Sequence, residues 1–311
     1  MNYREHAAEA PMKSILHPEH LDASMSASQT TAKGDCLVCG AHYVKSRLPG
    51  LIRCERCNFI SADLEISDET LAALYGEDYF HGNEYVDYIA EEESLRINFS
   101  DRLKTIKKLR SDLSQANLFE IGCAYGFFLD QVRSIVSSSA GVDISADAVR
   151  HAVTAKGVDA RCGDYLTLEL GNQVDIITMW DTIEHLKRPD LFIQKAARDL
   201  RPGGLLAITT GDIGSLNARV RGRNWRMIHP PTHLHYFSVD TIKRLLDAQG
   251  FDTVHVSHPG NSRSMRSIAY FILALQMKKP RLYDKIQRLP IFGWRITANL
   301  FDIMYVIARR R

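Results

Sequence analysis

The sequence has 311 residues, of which 45% are hydrophobic and 24% charged, and its formal net charge is +2. This composition is typical of a soluble globular protein with one large domain and a small additional module. The longest apolar run, Ile268 to Leu275, is too short to span a bilayer. Residues 1–34 lack the apolar core of a signal peptide and show no sustained hydrophobic period, which predicts a disordered N-terminal segment in a cytoplasmic protein.

Two Cys-x-x-Cys pairs follow, and they predict a zinc ribbon over residues 35–66. Each pair can direct two thiolates at one metal ion, and four thiolates suit tetrahedral zinc. Such a site has no open position for water, so the zinc is expected to be structural. Four unrelated cysteines and a redox function are the alternatives, but two pairs at this spacing favour a metal. The predicted ligands are Cys36, Cys39, Cys54 and Cys57.

The next segment contains aromatic residues and an amphipathic helix. A helix is predicted from Asp68 to Tyr75, with Ser67 as a possible N-cap. A second helix is predicted from Glu91 to Leu109, because its apolar residues recur on one face. The aromatic residues between the helices can wall a ligand pocket or pack in the core, and both interpretations stay open. They are Tyr75, Tyr79, Phe80, Tyr85 and Tyr88.

The stretch from Leu118 to Leu129 predicts a buried strand, a tight turn and the start of a helix. Gly122 and Gly126 supply the turn, since glycine allows a sharp bend and a close approach to a ligand. The spacing differs from the dinucleotide-binding fingerprint G-x-G-x-x-G. The carboxylate of Glu120, inside the strand end, would repel a pyrophosphate and suits a cationic ligand.

Further strands follow at regular intervals, and several end in an acid. Asp143 ends the second strand about twenty residues beyond the turn, where an acid commonly binds both ribose hydroxyls. Asp164 ends the third strand, where a carboxylate can meet an adenine amino group. A fourth strand runs from Val174 to Asp181 and a fifth from Leu205 to Thr210. Together these residues predict a site for adenosine and a positively charged group.

Residues from about 100 to 258 resemble a class I S-adenosylmethionine (SAM) methyltransferase. The motifs "LFEIGCAYG", "GVDIS", "GDY", "VDIITMWDTIEHL" and "LRPGGLLAITT" match in order and spacing, with Ala124 replacing the middle glycine of the family's turn. The resemblance implies an α/β fold, a Rossmann-like seven-stranded mostly parallel sheet with one antiparallel strand. A sixth strand is predicted from Phe251 to Ser257, and the last strand, Asp302 to Ala308, would run antiparallel between strands five and six. The small zinc ribbon would precede this domain.

The resemblance also implies domain boundaries and a cofactor site. Residues 67–115 would form a helical cover over the cofactor site, and residues 116–311 the SAM-binding domain, with inserts at 211–237 and 260–298. The residues expected to contact SAM are Glu120, Gly122, Cys123, Ala124, Gly126, Asp143, Ile144, Asp164, Tyr165 and Trp180.

The first insert carries the residues expected to meet the acceptor. Its arginines, at positions 219, 221, 223 and 226, could clamp an anionic group on a small molecule. A histidine has a suitable pKa for a general base, so His185 and Asp181 are the first catalytic candidates, followed by His229 and His233. His233 and His235 could bind a metal, but the sequence places no carboxylate near them at a suitable spacing.

Two classes of acceptor remain. The first is a small molecule, with O-methylation of a sugar, quinone or other metabolite as the leading hypothesis; the second is a macromolecule such as ribosomal RNA. Nucleic acid is disfavoured, because only Lys45, Arg47 and Arg53 are basic between the cysteine pairs. Residues 260–311 carry 11 Lys and Arg against 2 Asp and Glu, which suits an anionic substrate, a peripheral membrane contact or a solvated face. A SAM-binding scaffold without catalysis is the third hypothesis.

Overall fold

A computed structural model describes residues 34–67, 70–71, 74, 88–277, 279–286, 289, 292 and 294–311. The segment predicted to be disordered lies outside these residues except for Gly34. Four of the five aromatic residues named above, Tyr75, Tyr79, Phe80 and Tyr85, also lie outside them.

Strands and helices alternate through the described part of the chain. The strands are β1 (Tyr43–Lys45), β2 (Leu51–Cys54), β3 (Ile60–Ala62), β4 (Asn117–Ile121), β5 (Ser138–Asp143), β6 (Asp159–Cys162), β7 (Val174–Trp180), β8 (Leu200–Gly211), β9 (His235–Tyr236), β10 (Phe251–Ser257), β11 (Asn261–Ser264), β12 (Arg295–Ala298) and β13 (Ile303–Arg310). The α-helices are α1 (Glu92–Leu109), α2 (Phe127–Val132), α3 (Ala146–Lys156), α4 (Pro189–Asp199), α5 (Leu216–Arg221), α6 (Val239–Ala248), α7 (Met265–Ala269) and α8 (Pro280–Ile286).

The central sheet has the order β10-β13-β8-β7-β4-β5-β6. Strands β8, β7, β4, β5 and β6 pair in parallel, and β13 pairs antiparallel with both β8 and β10. The predicted mostly parallel sheet of seven strands, with the last strand antiparallel between strands five and six, is therefore confirmed. In this arrangement the carboxyl ends of β4, β5 and β7 meet at one edge of the sheet.

The middle strands are apolar along most of their length because both faces of the sheet are covered. Ile176, Ile177 and Met179 on β7 are fully buried, as are Met304 and Val306 on β13. Helix α6 begins with a capping box in which the Ser238 hydroxyl accepts a hydrogen bond from the Thr241 backbone amide. The sequence predicts a helix from Ser238 to Gly250 with Ser238 as its N-cap, and the structure confirms this start.

A second, four-stranded sheet has the order β1-β2-β3-β9. Strands β1 to β3 come from the cysteine-containing segment, whereas β9 comes from the insert that follows β8. Ser61 pairs with His235 and Ile60 with Tyr236 across this junction. The insert predicted at residues 211–237 therefore completes the sheet of the cysteine module.

The segment between β10 and β13 differs from its prediction. The sequence from Arg263 to Ile296, interrupted by Pro280 and Pro290, predicts helices, but Asn261–Ser264 and Arg295–Ala298 form an antiparallel pair of strands that encloses the helical part. Helix α7 continues into a π-helix at Tyr270–Gln276, and α8 follows. Among the described residues, no helix is both long and apolar enough to cross a membrane.

Candidate functional site

The turn after β4 is sterically restricted to glycine at two positions. Gly122 and Gly126 have φ angles of +77° and +75°, which L side chains rarely adopt. A Cβ on Gly122 would lie 2.6 Å from Oγ1 of Thr182, and one on Gly126 would lie 2.9 Å from Cβ of Ala152. The turn is therefore packed directly against the Asp181–Thr182 segment that follows β7.

Asp143 connects this turn with the end of β5. Its Oδ2 accepts a hydrogen bond from the Ala124 backbone amide at 2.8 Å, and its Oδ1 accepts one from the Ser145 amide at 2.9 Å. Burial raises the pKa of Asp143, although these amide hydrogen bonds act in the opposite direction. Each carboxylate oxygen keeps one further lone pair for a ligand hydroxyl.

Glu120 is a buried carboxyl group at the end of β4, with 2% of the residue exposed. Burial, and then the charge of Asp143, raises its pKa well above the ordinary value for glutamate. Within the described part of the chain, buried Glu120 Oε2, Asp181 Oδ1 and Trp180 Nε1 have no hydrogen-bond partner. Such orphaned polar atoms are rare in the interior of proteins, and their position at neighbouring strand ends fits a polar, cationic ligand.

Arg102, on α1, is a site residue that the sequence analysis missed. Its Nη2 lies 3.2 Å from Oδ2 of Asp181, and its guanidinium lies 5.1 Å from the ring centre of Trp180. The residue is 6% exposed. A basic residue inside the apolar stripe of an amphipathic helix was the available signal, since buried arginine requires a partner.

Several residues expected to contact SAM occupy different environments. Tyr165 is 1% exposed, and its hydroxyl donates a hydrogen bond to Asp199 at 2.7 Å, so its ring lies in the core. The Trp180 ring packs between Phe128 and Tyr305. Ile144, in contrast, is 46% exposed beside Asp143 and is accessible to a ligand.

Asp164 and Cys123 also have roles in the local structure. The Oδ1 atom of Asp164 accepts a hydrogen bond from the Leu166 amide at 2.9 Å, which begins a 3₁₀ turn. Cys123 is buried, and its Cβ would lie 2.8 Å from a Cβ on Gly141. The close approach of β5 to the turn therefore depends on a glycine at position 141.

A cavity of about 480 Å³ lies next to the Asp181–Thr182 segment. It is lined by both inserts, including Asn217 and Arg226 from the first and Phe271 and Ile296 from the second. All four catalytic candidates line it, namely Asp181, His185, His229 and His233, and Glu184 also lines it. The fold thus brings the predicted catalytic residues to one cavity that is large enough for a small molecule.

The three histidine rings contact one another on the cavity wall. The ring centres of His185 and His233 are 4.6 Å apart, and those of His229 and His233 are 3.8 Å apart. Burial lowers the pKa of His233 well below the ordinary value, and the neighbouring His229 and His185 lower it further. His233 is therefore neutral near pH 7 and a weak proton acceptor, which disfavours it as the general base.

The four arginines of the first insert differ in their position relative to the cavity. Arg221 and Arg226 line the cavity, whereas Arg219 and Arg223 are absent from its lining residues. The Arg226 guanidinium pairs with Asp302 at 3.0 Å, and Asp302 also accepts a hydrogen bond from the Trp225 indole at 2.9 Å. The proposed anion clamp therefore reduces to two residues, one of which is paired with a carboxylate.

The four cysteine sulfur atoms lie within 4.8 Å of one another. Cys36 Sγ is 3.6 Å from Cys57 Sγ, and Cys39 Sγ is 3.4 Å from Cys54 Sγ. The backbone amides of Val38 and Cys57 donate to the sulfur atoms of Cys36 and Cys54, respectively. Tetrahedral zinc with bonds of 2.3 Å places its sulfur ligands about 3.8 Å apart, so the four thiols fit this ion.

His235 connects the cysteine module with the cavity wall and is not part of a metal pair with His233. Its Nδ1 lies 2.9 Å from the Ser61 hydroxyl, and its ring stacks on Phe59 at 5.5 Å. The Ala62 amide donates to the Leu234 carbonyl, and the Leu234 amide donates to the Glu184 carbonyl, both at 2.9 Å. A continuous series of contacts thus runs from β3 to the segment that carries Glu184 and His185.

Comparison with known proteins places these residues in context. The sequence profile of a family described as "Methyltransferase domain" matches residues 94–256, which is more than half of the chain. Two similar proteins are ubiquinone biosynthesis O-methyltransferases. The protein from Chelativorans is 28% identical over 177 residues, which are 50% of this chain and 70% of that protein. The protein from Nitrobacter winogradskyi is 30% identical over 119 residues, which are 37% of this chain and 42% of that protein.

Solved structures extend the likeness in fold. The magnesium protoporphyrin IX methyltransferase from Synechocystis, solved with bound S-adenosylhomocysteine (SAH), superposes with a TM-score of 0.52 at 12% identity. The match covers 79% of this chain and 100% of that protein. At this identity the likeness concerns the fold alone. Among the first three curated relatives, the matched segments span 42%, 70% and 55% of the relatives' own length.

Proposed function

The chain belongs to the SAM-dependent methyltransferases, and on that premise we propose that it methylates a hydroxyl oxygen of a small molecule bound in the cavity. The observation that carries the proposal is the position of Asp181. This residue follows β7 directly and lines the cavity, and the next residue, Thr182, packs against Gly122 in the turn of β4. A cofactor held at the turn and an acceptor held in the cavity would therefore meet at this segment.

The orphaned polar atoms and the two glycines fit SAM, whose sulfonium makes the methyl group transferable and leaves as a neutral thioether. In our proposal Glu120 faces the cationic end of the cofactor, and Asp143 holds the ribose through the lone pairs left by the amides. Arg102, buried beside Asp181, suits the cofactor's carboxylate. Ile144 and Asp164 would flank the adenine, since both lie at strand ends next to Asp143.

The acceptor side is proposed from the cavity and from the relatives. The ubiquinone biosynthesis O-methyltransferases support oxygen as the accepting atom and a quinone-type acceptor. The cavity combines apolar residues such as Phe271 and Ile296 with the polar histidine wall, so it suits a ring or chain that carries hydroxyl groups. A sugar hydroxyl is the second candidate acceptor.

The proposal is tested by incubating the purified full-length chain with methyl-labelled SAM and a panel of phenolic, quinol and sugar acceptors. Transfer of label to an acceptor oxygen, identified by mass spectrometry, is the expected result. Binding of SAM in calorimetry without transfer to any acceptor would favour the scaffold hypothesis. Transfer only to ribosomal RNA would move the acceptor to the macromolecular class.

We also propose a structural zinc ion on the four cysteines, in keeping with the sulfur spacing reported above. The cysteines belong to one core cluster with Phe59 and Phe237, so the ion would stabilise both the ribbon and the first insert. Metal analysis should find one zinc per chain in protein prepared without chelator. A cytoplasmic location belongs to the same proposal, because thiols stay reduced there.

A peripheral membrane contact through the basic C-terminal part is proposed as well. Trp294 and Phe301 are 71% and 65% exposed, and Leu300 is 52% exposed and also lines the cavity. Apolar side chains among arginines and lysines suit an anionic lipid surface, from which an apolar acceptor could enter. Co-sedimentation with anionic but not with neutral vesicles, weakened by Trp294→Ser, is expected; equal recovery with both vesicle types would contradict it.

A further inference from the structure

Three side chains on the cavity wall have the composition of a metal site different from the four cysteines. One ring nitrogen each of His185 and His233 and one carboxylate oxygen of Glu184 lie within 4.8 Å of one another. Ligand atoms about 2.1 Å from a common cation are at most about 4.2 Å apart. Movements of well under about 1 Å therefore suffice for all three atoms to reach one ion.

The hydrogen bonds of the two imidazoles select the nitrogen that can bind a cation. His185 Nδ1 lies 3.0 Å from the Thr232 carbonyl oxygen, and His233 Nδ1 lies 2.8 Å from the Met227 carbonyl oxygen. A carbonyl oxygen only accepts, so Nδ1 carries the proton in both rings and Nε2 carries a lone pair. Metal-binding histidines are held in this way, with the second nitrogen donating to a carbonyl or carboxylate.

The backbone around the cluster is fixed on both sides. Glu184 and His233 are 2% and 4% exposed. The Leu234 amide donates to the Glu184 carbonyl at 2.9 Å, and the Tyr236 hydroxyl donates to the His233 carbonyl at 3.0 Å. The three side chains are therefore positioned by packing and by β9, which limits the rearrangement needed to bind an ion.

The cluster faces the acceptor cavity, because Glu184, His185 and His233 are all lining residues. Three protein ligands with an open side are typical of catalytic metal sites, whereas four thiolates close a structural site. A fourth group bound to the ion would thus come from the cavity. In the proposed function, that group is the hydroxyl to be methylated.

We propose that Glu184, His185 and His233 bind a divalent cation, and that this cation binds the acceptor hydroxyl; the second clause rests on the proposed function. The acceptor O–H bond breaks with the electron pair kept by oxygen and the proton released to water, and the cation offsets the negative charge. Two imidazoles and one carboxylate suit manganese, iron, cobalt or zinc. The histidines then act as ligands and do not remove the proton themselves.

Titration of the full-length protein carrying one zinc ion per chain with Mn²⁺, followed by electron paramagnetic resonance, tests the site directly. Mn²⁺ prefers oxygen and nitrogen ligands, so it leaves zinc on the four thiolates. We expect one bound Mn²⁺ per chain in the wild type. Glu184→Gln and His185→Asn should raise the dissociation constant by at least about tenfold. The matched control His255→Asn changes a histidine on β10 that contacts Ser257, outside the cavity lining, and should bind Mn²⁺ as the wild type does.

Zinc content and SAM affinity, measured on every variant, separate loss of the site from loss of the fold. Glu184→Gln keeps the size of the side chain, so it decides the question even if a histidine variant unfolds. No Mn²⁺ uptake by the wild type, or equal affinity in Glu184→Gln, would overturn the proposal while leaving SAM binding and methyl transfer untouched. Mn²⁺ uptake at these residues in a protein that does not bind SAM would support the cation site and refute the proposed function.

Discussion

The two clusters of potential metal ligands differ in how the chain brings them together. Cys36 and Cys39 are separated by two residues, as are Cys54 and Cys57, and β1 and β2 connect the pairs. Glu184 and His185 follow β7, whereas His233 lies in the insert after β8. The first cluster follows from local spacing, since each pair closes within one turn. The second depends on the pairing of β9 with β3 and on the order of the central sheet.

The two clusters are nevertheless connected physically. The Ala62 amide donates to the Leu234 carbonyl, and the Leu234 amide donates to the Glu184 carbonyl. His233 and His235 flank Leu234, so the ribbon fixes one side of the cavity wall. The cofactor side at β4 and β5 has its own contacts, such as those of Asp143. Damage to the ribbon should therefore affect the acceptor cavity more than the cofactor site.

The largest effect is expected from Cys54→Ser, which replaces a fully buried cysteine of the proposed zinc site. The ribbon should lose its zinc, since the apparent free energy of binding of a structural zinc is on the order of 10 kcal/mol. Strands β1 to β3 should become sensitive to protease and methyl transfer should stop, with SAM binding largely retained. Metal analysis, limited proteolysis and calorimetry measure these results. The exposed Cys162→Ser is the matched control; zinc-free protein with full activity would contradict the connection.

Asp143→Ala tests the cofactor side, which should respond without any change in zinc. The substitution removes charge-assisted hydrogen bonds to the ribose and to the amides of Ala124 and Ser145, so SAM affinity should fall by about 1.5–3 kcal/mol. Calorimetry of the folded variant measures this. Asp159→Ala changes an exposed acid on the neighbouring β6 and should bind SAM normally. An unchanged SAM affinity in Asp143→Ala would refute its assigned role.

Glu120→Gln should weaken SAM binding by about tenfold, because a charge-assisted contact is lost. It should also change the dependence of folding on pH. The raised pKa of Glu120 gives folding stability that is fully present below the ordinary glutamate pKa and is lost as pH rises through the raised value. The glutamine at position 120 cannot ionise, so the Tm of the cofactor-free variant should rise relative to the Tm of the cofactor-free wild type as pH rises from 5 to 8. A constant difference in Tm between the variant and the wild type across this pH range would contradict the prediction.

The smallest effect is expected from Arg226→Ala. Arg226 lines the cavity, but its guanidinium also pairs with buried Asp302, so only part of its charge is available to an acceptor. We expect the KM for an anionic acceptor to rise about threefold to tenfold with kcat nearly unchanged, because such a contact acts on binding. Arg223→Ala, an exposed residue outside the cavity lining, is the matched control. If both variants have the KM and kcat of the wild type, the arginines do not contribute to acceptor binding.

The sequence predicted the central sheet and much of the candidate site, since strands that end in acids and glycines can be recognised from residues close together along the chain. It did not reveal that the Tyr165 ring is buried and hydrogen-bonded to Asp199, because a strand end does not show which face a following side chain takes. It missed the strands Asn261–Ser264 and Arg295–Ala298, whose pairing joins distant segments. It also found no carboxylate for His233, because Glu184 is near it only in space.

Local spacing by itself determined the thiol cluster, the glycine turn and the order of strands along the chain, because these depend on residues only a few positions apart. Tertiary structure decided which histidine lies next to Glu184. The ring of His235 contacts Ser61 and Phe59, whereas a ring nitrogen of His233 lies within 4.8 Å of a carboxylate oxygen of Glu184. The physical reason is the pairing of β9 with β3, which holds His235 against Ser61, whereas His233 lies before β9 and its Nδ1 contacts the Met227 carbonyl oxygen.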